Sequence, residues 1–147
     1  MSVVWPMLLG VLIGVALSQQ PVINGAVSQV LNSVFAAATL SLGLSALVVF
    51  ALFWVTGAPT RPAQLMDLPW WTVFAGFIGA FFVAGSAMIV PITGAALFFV
   101  CLIAGQLVGA VAADAIGAFG MEPRPVSLTK LAGVALGFAG VVLVKWG

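Results

Sequence analysis

Gln20, Asn24 and Ser28 recur every four residues along the first apolar stretch of the chain, so on a helix they form one polar stripe. Gln106 stands alone in a later apolar stretch, between Gly105 and Leu107, and Asp114, two turns on, is the one acid inside any such stretch. Carboxamides and hydroxyls in hydrocarbon are costly unless hydrogen-bonded. Two arrangements meet that need. The groups can face a polar solute, as in transporter sites at the membrane midplane, or they can bond a neighbouring helix and never see solute. Both remain open for the stripe and for Gln106. An ionisable residue within the membrane is a functional candidate by default. Asp114 lies near the loop end of its stretch, however, where Arg124 or Lys130 can pair with it. Its role is coupling or an interfacial ion pair.

Composition narrows the chemistry. Of 147 residues, 64% are hydrophobic and 5% charged, with a mean hydropathy of +1.33. A soluble domain carries about a quarter charged residues, so this is an integral membrane protein. There is no histidine, one cysteine and three acids, which excludes a His-based triad, a His/Cys zinc site and a Cys–His nucleophile. General acid–base machinery is not visible, so no enzyme, cofactor or metal site is expected. A net charge of +1 without a basic cluster argues against nucleic acid. Lone Cys101 reads as a small packing residue.

These residues must be positioned by helices. A hydrocarbon core about 30 Å thick needs about 20 apolar residues per span. Cutting at polar and Pro/Gly clusters predicts five spans, 3–31, 34–56, 70–90, 93–119 and 128–146, forming one all-α membrane domain over 1–147. The start lacks a basic segment and a cleavage site followed by a polar domain, so the first stretch is expected to stay as a span. The two longer connectors hold Arg61, Asp67, Glu122 and Arg124 among prolines. Trp5, Trp54, Trp70, Trp71 and Trp146 all fall at span ends, the placement of an aromatic belt.

The first span is unusual. Ended at Ser18 it would reach roughly 24 Å, too short to cross; run on to Leu31 it would reach roughly 43 Å. The longer reading contains Pro21, which removes a backbone donor, so a kink or break is expected there. In lipid, freed backbone groups are tolerated only against protein or a water-filled cavity, which points this helix inward. Residues 91–98 join the third and fourth spans with hardly any loop, either as a tight turn or as a helix start facing a cavity. Ser86, Thr93 and the Phe98–Phe99 pair read as packing. Small residues at spacing four, Gly10/Gly14, Gly105/Gly109 and Gly133/Gly137, allow close helix approach. Gly133 and Gly137, on a last span without polar residues between Lys130 and Lys145, suggest a protein–protein contact.

Five is an odd number, so the chain ends face opposite sides. The N-terminal side carries Arg61, Arg124 and Lys130, the other Lys145 alone, which favours a cytoplasmic N-terminus by a thin margin. So small a bias is compatible with insertion in both orientations.

Residues Gln20-Pro21-Val22-Ile23-Asn24, Trp70-Trp71, Pro91 to Phe98, Gly105-Gln106, Phe119-Gly120 and Gly133 to Gly137 occur in that order. Together they resemble the YdcZ-type family, the five-helix branch of the drug/metabolite transporter superfamily, over about 10–144. The resemblance implies half of a ten-helix inverted-repeat fold, completed by an antiparallel homodimer or by a related five-helix chain. It also implies a bacterial inner-membrane exporter of a small solute working by alternating access. Its central cavity would be lined mainly by the first, third and fourth helices, with Gln20, Asn24 and Gln106 facing it. The related small multidrug exporters carry a glutamate in the first helix; here that helix holds amides, which fits a neutral or zwitterionic solute better than a cation. The alternative is a membrane subunit that transports nothing and docks a partner complex through the same polar and small-residue faces.

Overall fold

The computed structural model describes residues 4–57, 64 and 66–147. Among them there are five helices long and apolar enough to cross a membrane, and no strand. They are α1 (Val4–Leu31), α2 (Val34–Thr56), α3 (Val73–Thr93), α4 (Ala95–Ile116) and α5 (Leu128–Trp146). Arg61, which entered the charge comparison, lies outside the described residues.

Local chemistry sets the helix ends. Asn32 takes a left-handed turn (φ 49°), and Ser33 caps α2 by accepting from the Ala36 N–H at 3.1 Å. A single 3-10 turn, Trp70–Thr72, leads into α3, with Thr72 Oγ1 donating to the Pro69 carbonyl. Only Gly94 separates α3 from α4; its φ of 77° and ψ of 158° belong to a region that glycine alone enters readily. Ser127 caps α5 by accepting from the Lys130 N–H at 3.2 Å.

Two boundaries differ from those expected of the sequence. α3 continues through Pro91 to Thr93 instead of stopping at Val90, so Pro91 sits in the last turn and not in a loop. α4 starts at Ala95 and ends at Ile116, and Ala118–Gly120 form a separate 3-10 turn after Gly117 reverses the chain at φ 61°. Nor does Pro21 break α1, which is helical from Val4 to Leu31. Proline removes one hydrogen bond, that of the carbonyl four residues back. Its ring is among the most deeply buried side chains, while the carbonyl it frees belongs to Leu17, an exposed residue of α1.

The chain divides into two compact units, Met1–Ile92 and Thr93–Gly147. In the first, α1 packs on α2 and approaches α3 closely at one point. A Cβ added at Gly25 would lie 3.1 Å from Pro91 Cγ and 3.6 Å from the Ala87 carbonyl oxygen. That carbonyl is the one deprived of its helical donor by Pro91. Glycine at 25 is what lets the two helices meet there. In the second unit α4 packs on α5, where a Cβ at Gly137 would come within 2.9 Å of Leu107 Cδ1. Large apolar side chains otherwise point outward, including Phe81 (82% exposed) and Leu128 (85%). Such a surface suits acyl chains, not water.

Candidate functional site

The polar stripe of α1 separates into three different environments. Asn24 is buried (4% exposed), and its Nδ2 has no hydrogen-bond partner. Ser28 is buried too, but its hydroxyl donates to the Gly25 carbonyl at 2.7 Å and so is satisfied within its own helix. Gln20 is half-buried and donates from Nε2 to Ser41 Oγ at 3.3 Å, reaching α2. Gln19 stays local, donating to Ser18 Oγ.

Gln20 and Asn24 line one cavity of about 350 Å³ between α1 and α2. Ser41 and Ser45 complete its polar lining from the α2 side, and Ser45 Oγ donates to the Ser41 carbonyl at 2.9 Å. Alanine, valine, leucine and isoleucine side chains make the remainder, and among the described lining residues none is charged. Ser28 is not part of this wall. The volume lies at the low end of small-molecule sites, about 300–1,000 Å³.

Ser41 and Ser45 had no part in the sequence reading. A signal was present, since they lie four apart and so share a face of α2. It is faint because a helical serine can satisfy itself on the preceding turn, as Ser45 does.

Gln106 belongs to the second unit. It lies exposed on α4 and makes no hydrogen bond to the described residues. Cys101, expected to pack, is likewise exposed on α4. Asp114 Oδ2 is 3.5 Å from Lys130 Nζ, with both side chains about one-third exposed (34% and 37%). The Asp114 carbonyl also accepts from the Arg124 N–H at 2.7 Å. The ion pair joins the end of α4 to the first turn of α5, and the Asp114 carbonyl holds the connector. Gly137 faces α4 inside the unit, whereas Gly133 meets open space. Among the described residues no cluster of His, Cys, Asp or Glu can hold a metal.

Comparison with known proteins adds one finding. A family described as "Putative inner membrane exporter, YdcZ" matches residues 5–143. No curated protein and no solved structure is similar enough to compare. The match points to transport rather than catalysis, and with five membrane-length helices it marks an integral inner-membrane protein. Because the match covers nearly the whole sequence, the chain belongs to the YdcZ family.

Proposed function

We propose that the chain exports a small solute by alternating access, as one half of an antiparallel dimer formed with a second copy or a related five-helix chain. The observation that carries this reading is Asn24: a carboxamide 4% exposed, with an unpaired Nδ2, on the wall of a cavity between two membrane helices. A buried donor without a partner costs about 1–3 kcal/mol. A docking subunit would gain nothing from that cost, whereas a binding site recovers it each time solute arrives. Gln20 would share the cavity wall. Gln106, exposed on α4 and without a hydrogen bond to the described residues, is a further candidate for contact with solute.

Inversion completes the mechanism. Two copies in opposite orientation can exchange shapes, so the two open states are related by a two-fold rotation about an axis in the membrane plane.

The test is efflux from liposomes carrying the purified protein and preloaded with radiolabelled neutral, cationic and anionic small solutes. Saturable efflux stimulated by solute on the far side, and lost in Asn24→Ala, is the expected result. Absence of saturable efflux for every solute, together with stoichiometric co-purification of an unrelated membrane protein, would put the docking subunit in its place.

A further inference from the structure

The cavity between α1 and α2 also constrains what can occupy it, and here the reasoning rests on the transport reading above. Three of its donors can be followed individually. Gln20 Nε2 is used on Ser41 Oγ, and the Ser45 hydroxyl is used on the Ser41 carbonyl. Asn24 Nδ2 is left, buried and without an acceptor. The unmet demand among the lining residues is therefore for an acceptor.

Charge decides the rest. The described lining residues are amides, hydroxyls and hydrocarbon, with no carboxylate and no ammonium or guanidinium group. A cation entering there would exchange its hydration shell for neutral amide and hydroxyl oxygens alone. An anion would exchange its hydration shell for neutral donors alone. Burying an unpaired charge costs several kcal/mol even after relaxation, far more than one hydrogen bond returns. Leu40 and Leu44 of α2, with Ile23 and Val27 of α1, supply an apolar wall beside the amide.

We infer that the α1–α2 cavity binds an uncharged, compact solute whose apolar body carries a carbonyl, ether or hydroxyl oxygen, and that Asn24 Nδ2 donates to that oxygen. Gln20, tied to Ser41, stands one turn away as a fixed wall of the same cavity.

The chain contains two asparagines, Asn24 and Asn32, so selective ¹⁵N labelling gives two side-chain NH₂ signals, with Asn32 in the α1–α2 turn as internal control. The full-length protein in lipid nanodiscs is titrated with cyclohexanone, cyclohexylammonium and cyclohexanecarboxylate, which share a ring and differ in charge and hydrogen-bonding group. Cyclohexanone is expected to shift the Asn24 signal saturably, leaving Asn32 still, with affinity at least about tenfold above that of either ion. In Asn24→Asp the preference is expected to turn toward the ammonium ion, read by the ring protons of the probe.

An Asn24 signal that responds as well to the ammonium ion, or to none of the three probes, would overturn the inference. Failure of the transport reading looks different: cyclohexanone saturates Asn24, yet no solute shows saturable efflux from liposomes.

Discussion

Gln20 donates from Nε2 to Ser41 Oγ over 3.3 Å, joining α1 to α2 one helical turn from Asn24, whose Nδ2 has no partner. Two carboxamides on one stripe thus serve different ends. The first fastens two helices, as interhelical polar groups in membranes commonly do. The second is held desolvated with an unmet donor, a state that costs stability and that the proposed solute would relieve. Substitution can separate the two.

Asn24→Leu removes the unmet donor and leaves a side chain of similar length. The variant is expected to be more stable than the parent by about 1 kcal/mol, since a desolvated polar group is exchanged for hydrocarbon. Efflux is expected to fall at least about tenfold. Unfolding by SDS titration and liposome efflux on the same preparation read both quantities. A variant that loses stability would show that Asn24 is bonded in the folded protein.

Gln20→Ala and Ser41→Ala should each cost about 0.5–1 kcal/mol, and the double variant little more than either alone. That coupling is what an interhelical bond predicts. Additive losses from the same SDS titrations would mean that the two side chains do not hold one another.

Gly25 tests the meeting of α1 and α3. A Cβ there would lie 3.1 Å from Pro91 Cγ, on a ring that cannot rotate away. Alanine gains about 1 kcal/mol in helix propensity and pays about 1–3 kcal/mol in overpacking. Gly25→Ala is therefore expected to destabilise the protein, and to do so much less in a Pro91→Ala background. Gly105→Ala, which meets open space, isolates the propensity gain. Thermal unfolding in detergent compares all four variants.

Asp114 is paired with Lys130 at 3.5 Å between side chains about one-third exposed. Such pairs contribute about 0–1 kcal/mol. Asp114→Asn is thus expected to leave efflux within about twofold of the parent, with its pH profile unchanged. Loss of a pH dependence seen in the parent would return Asp114 to a coupling role.

How far these features were legible follows from what each depends on. The lengths of the apolar runs and the tryptophans at span ends are properties of sequence, so the helices were visible within a few residues. Pro91 misplaced one boundary because a proline in a last turn sacrifices a single bond and need not end a helix. The face each polar residue presents depends on packing. Asn24 and Ser28 share a stripe, yet the hydroxyl closes on its own backbone at 2.7 Å and the carboxamide does not. Ser41 carries only a faint mark in sequence, its spacing of four from Ser45, which also suits a serine that is merely tolerated. Its role emerges only when α1 is laid beside α2.

The last prediction concerns orientation. Arg61, Arg124 and Lys130 stand against Lys145 alone across the five spans, and lysine and arginine counts near span ends set orientation. With so small a difference, a reporter pair fused after Gly147 and reading both sides of the membrane is expected to give comparable signals. Two lysines added after Trp146 should hold that end in the cytoplasm. Two lysines inserted beside Glu122 should hold the opposite arrangement. Each biased variant expressed alone is expected to lose efflux, because an antiparallel pair needs both orientations, and co-expression of the two is expected to restore it. A parent chain with one orientation that still exports from purified liposomes would overturn the antiparallel arrangement. A parent with one orientation and no export would require an oppositely inserted five-helix relative, and co-expressing that relative should then supply the activity.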